Sequence, residues 1–226
     1  TGNVLTDEEL ERLDRLAKAR KIPLIIDNAY GTPFPHIIFT HARPLWNENT
    51  IVCMSLSKLG LPGVRTGLVV AQPKIIQAIK TFNAIVNLAP TGLGAALVLP
   101  LVRSGEILRL SRQVICPYYQ QRSVWAVRQL TQQLSGLPCF IHKPEGALFL
   151  WLWCRDLPIT CQELYQRLKK RGVLVVPGHY FFPGLSGSWR HLHECIRITY
   201  SQDREVVRRG LTMIADEVRR TYRQKK

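Results

Sequence analysis

Three short apolar runs constrain this chain more than any other feature. Pro23 to Asp27 is wholly apolar up to its terminal acid, and Thr50 to Met54 and Gly67 to Ala71 repeat the pattern. Uninterrupted runs of this length, without alternation, read as strands buried on both faces, the habit of parallel sheets. Helical patterns lie between and after them. Thr6-Asp7-Glu8-Glu9 forms a capping box, followed by Leu10, Leu13, Leu16 and Ala17 at helical spacing to about Lys21. Further helical patterns cover Pro73–Phe82 and Gly92–Arg103. Strand and helix alternate, so the first half is α/β.

The second half has a different rhythm. One long helical stretch runs from about Ser104 to Leu134, with a kink expected at Pro117. Ala147–Trp153, Val173–Val176 and Cys195–Tyr200 read as strands. Thr160-Cys161-Gln162-Glu163 is a second capping box, opening a helix to about Arg171, and Asp203–Arg223 is a terminal helix. This is a smaller α+β unit. The expected division is 1–115 and 116–226, with the boundary inside the long helix near Cys116.

Composition narrows the function. The longest near-continuous apolar run, Leu93–Val102, is ten residues with a proline inside, against ~20 needed to span a bilayer, so no membrane partner is expected. The net charge of +15 permits an acidic partner without choosing one. The basic residues are scattered along helices, and the tail Arg219–Lys226 reads as a solvated helix end. Trp151 and Trp153 read as structural aromatics on a strand, so no nucleic acid is expected either. The six cysteines form no C-x-x-C pair and several sit in apolar runs, which fits a reducing, cytoplasmic setting. His191 and His193 lack a third donor nearby in the chain, so no metal is expected.

Two strand ends carry the chemistry. The first ends at Asp27-Asn28-Ala29-Tyr30-Gly31, the second at Ser55-Leu56-Ser57-Lys58 followed by Gly60, Gly63, Arg65 and Gly67. Ligands of open α/β sheets bind beyond the carboxyl ends of strands. Ser55, Ser57, Arg65 and glycine backbone suit a phosphate, Lys58 a carbonyl, Asp27 a basic nitrogen and Tyr30 a hydroxyl. Taken singly, Asp27 is a turn residue and Lys58-Leu59-Gly60 a surface turn. Together they describe a site for pyridoxal phosphate, an aldehyde carrying a phosphate and a ring nitrogen.

This ordered combination resembles the class I/II aminotransferases, pyridoxal-phosphate enzymes of fold type I. The resemblance implies the C-terminal part of that fold: an incomplete large-domain mixed sheet plus a small α+β domain. It makes Asp27 the partner of the ring nitrogen, Tyr30 the partner of the ring hydroxyl and Ser55 and Arg65 phosphate ligands, with Ser57 beside them. It makes Lys58 the catalytic lysine that carries the cofactor, and Arg197, within Cys195–Thr199, the grip on the substrate carboxylate. Lys143–Ala147 resembles a small-domain segment of the family, and His179 and Tyr180 are expected near the substrate side chain. Thr1-Gly2-Asn3 resembles the tail of the family's Asn-Pro-x-Gly-Asn string, so the chain is expected to belong to a longer protein and to be inactive alone. The implied activity is transamination between an amino acid and a 2-oxo acid, by a homodimer. Continuous strings at 26–35, 53–63, 141–153, 156–160, 164–169 and 176–185 point to the branch that converts valine and pyruvate to 3-methyl-2-oxobutanoate and alanine. The alternatives are an aminotransferase-like sensing domain of a transcription regulator, or a lyase or synthase on the same scaffold.

Overall fold

The computed structural model describes residues 2–89, 91–185 and 189–224; Thr1, Lys225 and Lys226, which belong to strings singled out above, lie outside them. The chain forms two compact units. One is Val4–Tyr118; the other runs from Tyr119 onward and includes Gly2 and Asn3.

In the first unit, helix α1 (Asp7–Ala19) starts as its capping box dictates. Thr6 Oγ1 accepts the Glu9 N–H at 3.2 Å and the Glu9 carboxylate accepts the Thr6 N–H at 2.8 Å. The Thr6 N–H first, and the Thr6 hydroxyl second, donate to the Glu9 carboxyl and hold it below its ordinary pKa. Strands β1 (Leu24–Asp27), β2 (Thr50–Ser55) and β3 (Gly67–Val70) form a sheet in that order. β1 and β2 are parallel, with Asp27 opposite Cys53. β3 is antiparallel to β2, so the sheet is mixed. The expectation of three parallel-type strands fails there because residues 56–66 form two short 3₁₀ turns, whereas a parallel return needs a crossover of about a dozen residues or more. Within this chain Ile25 of β1 is 65% exposed. Helices α2 (Pro73–Asn87), α3 (Leu93–Arg103) and α4 (Glu106–Leu110) follow. A small core of Phe34, Leu56, Val98 and Ile107 anchors the turn after β2.

The expected kink at Pro117 takes the form of a π turn over Ser111–Ile115, just before α5 (Cys116–Gln133). Pro117 has no N–H for the carbonyl four residues back and its ring crowds that carbonyl. The helix absorbs this by widening, and the Cys116 N–H reaches the Ser111 carbonyl five residues back.

The second unit is a four-stranded antiparallel sheet, β4 (Cys139–Ile141), β5 (Phe149–Cys154), β6 (Val176–Pro177) and β7 (Cys195–Thr199), ordered β4-β5-β7-β6. Helices α6 (Cys161–Lys170) and α7 (Arg204–Arg223) and the later part of α5 supply Leu130, Leu164, Leu168, Leu211 and Ile214 to a core with Leu150, Leu152 and Ile196. The expected strand at Val173–Val176 shrinks to an edge pair ending in Pro177, and Leu174 is 69% exposed. Proline at a sheet edge forfeits no ladder bond. Tyr200 is fully buried and its hydroxyl donates to the Ala147 carbonyl at 2.6 Å. No helix among the described residues is long and apolar enough to cross a membrane.

Leu168→Ala, which empties a fully buried site, is expected to cost about 2–5 kcal/mol. Exposed Leu174→Ala is expected to stay within about 0.5 kcal/mol. Denaturant unfolding of the full-length protein checks both.

Candidate functional site

The first unit gathers its expected groups at the ends of β1 and β2. Asp27 ends β1, and the Asn28 N–H donates to the Cys53 carbonyl at 2.8 Å, continuing the pairing with β2. Burial first, and the Asp27 charge second, push the Cys53 thiol up from its ordinary pKa. The loop then folds back, with the Ile37 N–H donating to the Tyr30 carbonyl at 2.8 Å. Both prolines of this loop, Pro33 and Pro35, follow cis peptide bonds.

β2 ends at Ser55, whose hydroxyl caps a 3₁₀ turn by accepting the Ser57 N–H at 3.2 Å. Lys58 lies within that turn, and Gly60, at φ 107°, closes it. Only glycine adopts that backbone at no steric cost. Lys58 Nζ stands 5.4 Å from the centre of the Tyr30 ring, so the two strand ends bring amine and phenol together. Arg65 donates to Ser57 Oγ and to the Pro62 carbonyl, both at 3.4 Å. Its backbone is left-handed, at φ 46° and ψ 45°, a conformation costing a non-glycine residue on the order of 1–3 kcal/mol. A guanidinium beside a hydroxyl, next to a lysine, is a donor set that fits a phosphate.

The second unit builds its own site around Arg197. This residue lies on β7 between Trp151 of β5 and Val176 of β6. Its guanidinium carbon is 4.1 Å from the Phe149 ring centre and 4.6 Å from that of Phe181. Its Nε is buried with no hydrogen-bond partner. A clamped guanidinium with an unspent donor fits a carboxylate. Phe181 sits in the 3₁₀ turn Gly178–Phe181, edge-on to Trp151 at 5.3 Å. That turn approaches β7 closely: a Cβ on Gly178 would meet Cys195 Cβ at 2.6 Å.

Of the string after Pro177, the residue against Arg197 is Phe181. His179 has its Nδ1 3.5 Å from Cys161 Sγ, and Tyr180 is exposed with its ring 4.1 Å from that of His179. Burial, then the neighbouring His193, lowers the His179 pKa. Sequence reasoning missed Phe149 and Phe181; the clamp forms across strands, and the only local signal was the aromatic string itself. Burial pushes the Cys195 thiol up to about 12.

Residues 1–214 match the profile of aminotransferase class I and II, and the chain belongs to that family. Members of the family depend on pyridoxal phosphate and act on amino and 2-oxo acids. The chain is 54% identical over 222 residues to the valine–pyruvate aminotransferase of Escherichia coli K12, covering 98% of this chain and 53% of that protein. It is 25% identical over 219 residues to the 2-aminoadipate transaminase of Thermus thermophilus, covering 93% of this chain and 52% of that one. The crystal structure of valine-pyruvate aminotransferase from Salmonella typhimurium LT2 superposes with a TM-score of 0.94 at 55% identity, over 99% of this chain and 58% of that chain. The chain thus spans about half the length of the curated relatives it matches, and its fold is part of the fold type I aminotransferase fold.

Asp27→Asn removes the charge that helps hold the Cys53 thiol up. The thiolate fraction at fixed pH therefore rises, and alkylation of Cys53 by iodoacetamide is expected to speed up. Peptide-resolved alkylation rates near pH 8 check this; an unchanged rate would place the Asp27 charge away from Cys53.

Proposed function

We propose that the protein to which this chain belongs is a pyridoxal-phosphate-dependent aminotransferase that exchanges valine and pyruvate for 3-methyl-2-oxobutanoate and alanine, working as a cytoplasmic homodimer. The unit Val4–Tyr118 carries the cofactor-holding groups, and the unit from Tyr119 onward is the small domain. One observation carries the reading: Lys58 approaches the Tyr30 ring at the strand end where Arg65 meets Ser57. The 54% identity to a valine–pyruvate aminotransferase supports the choice of substrates.

When bound, pyridoxal phosphate supplies an electron sink for the pair left when a substrate Cα–H bond breaks. Ser55, Ser57 and Arg65 would hold its phosphate, Tyr30 its hydroxyl and Asp27 the proton on its ring nitrogen. Lys58 would anchor it, and its amine would take the α-proton and return it as a general base and acid. Arg197 binds the substrate carboxylate through its guanidinium fork, and Phe149 and Phe181 keep that fork from swinging. The aromatic faces also exclude water from it, which strengthens each hydrogen bond to the carboxylate.

The test uses the full-length protein with pyridoxal phosphate, valine and pyruvate, scored by alanine formed. Lys58→Ala is expected to abolish turnover while circular dichroism is unchanged, and borohydride reduction of the wild type should label Lys58. Labelling of Lys74 or Lys80 instead would overturn the assignment. Arg197→Ala is expected to weaken both amino and 2-oxo acids, since one fork serves both half-reactions. Asp27→Asn is expected to keep binding and slow proton abstraction. A preference for aspartate over valine in single half-reactions would refute the substrate assignment.

A further inference from the structure

A fully buried thiol opens helix α6, apart from the groups given catalytic roles above. We propose that Cys161, His179 and His193 form a binding site for a divalent cation of the zinc class. The three come from separate elements: Cys161 is the first residue of α6, His179 lies in the 178–181 turn and His193 ends a 3₁₀ turn over Arg190–His193. Their donor atoms all lie within 4.8 Å of one another. Neither His191 nor its spacing to His193 foretold this set; the fold brings in Cys161 and His179 from 32 and 14 residues earlier than His193.

The geometry suits a tetrahedral ion. Cys161 Sγ and His179 Nδ1 are 3.5 Å apart. With Zn–S of about 2.3 Å and Zn–N of about 2.0–2.1 Å, two ligands of one tetrahedral zinc stand about 3.6 Å apart. That pair already has the required spacing. Closing the third side needs a shift of roughly 1 Å by His193 to reach such ligand spacing. His193 is exposed, so its ring has room to move. A surface cleft of about 380 Å³, lined in part by Thr160, Glu163, Arg190 and His193, gives an entry path. The cation in that cleft, Arg190, is drawn off by Asp156 at 3.3 Å and Glu194 at 3.4 Å.

The ligand chemistry selects the metal. One sulfur and two imidazoles favour zinc, cobalt(II) or copper over magnesium and calcium, which take oxygen ligands. Binding converts the thiol to a thiolate, its proton leaves to solvent and water completes the fourth position. The Cys161 thiol donates to the Leu192 carbonyl at 3.6 Å, a bond it would give up as a thiolate. A bound ion would tie the start of α6 to both turns, one of which presents Phe181 to Arg197.

Cobalt(II) chloride titrated into the metal-stripped full-length protein is the test. The expected result is stoichiometric binding with a thiolate-to-cobalt band in the near ultraviolet and strong tetrahedral bands in the visible. Zinc should displace the cobalt and raise Tm. Cys161→Ser should remove the ultraviolet band. His193→Ala, at an exposed position that the fold does not need, should weaken binding by more than the about 10–100-fold cost of losing a ligand's outer partner. Weak octahedral bands with no sulfur band would overturn the proposal. So would a sulfur band that survives in both variants, which would instead implicate Cys195 and His191, whose Sγ and Nε2 lie 3.5 Å apart.

Discussion

The register between β5 and β7 is the constraint on which the second unit depends. Phe149 faces Thr199, Trp151 faces Arg197 and Trp153 faces Cys195. Side chains alternate faces along a strand, so a slip of β7 by one residue would move Ile196 and Ile198 out of the core and carry Arg197 into it. The same pairing that buries the leucines therefore holds the guanidinium on the opposite face against Phe149. Gly178 secures the third member of that clamp. A side chain there would collide with Cys195, so the turn carrying Phe181 can lie this close only with glycine at its start.

What was legible in the sequence was local. Thr6 with Glu9 and Thr160 with Glu163 mark helix starts because a capping bond spans three residues, and the Thr160 hydroxyl accepts the Glu163 N–H at 3.2 Å. The groups from Asp27 to Arg65 were legible for a similar reason: two strand ends display them in one fixed order. The direction of β3 was not, because an apolar run carries no sign and only the short 3₁₀ connection decides it. β4 escaped notice because Cys139–Ile141 is too short to show a period. The clamp around Arg197 and the approach of Cys161 to His179 arise from pairings distant in sequence, for which no spacing rule exists.

Each unit also solves a different electrostatic problem. At the β2 end, charge is gathered around a partly covered turn, with Lys58 half-buried and Arg65 exposed, so the guanidinium keeps most of its hydration. Around Arg197 the charge is held half-buried against aromatic rings, and part of its hydration is already gone. The first arrangement favours capture of a strongly charged group, the second discrimination among weakly charged ones.

The left-handed backbone of Arg65 has one further consequence. Glycine would relax it and is the residue that selection for foldability alone would install there. The side chain that suits the backbone is the one that cannot hold an anion. Screens for a more heat-resistant variant of this chain would therefore be drawn to position 65, where stability would be gained at the expense of the phosphate grip proposed for that residue.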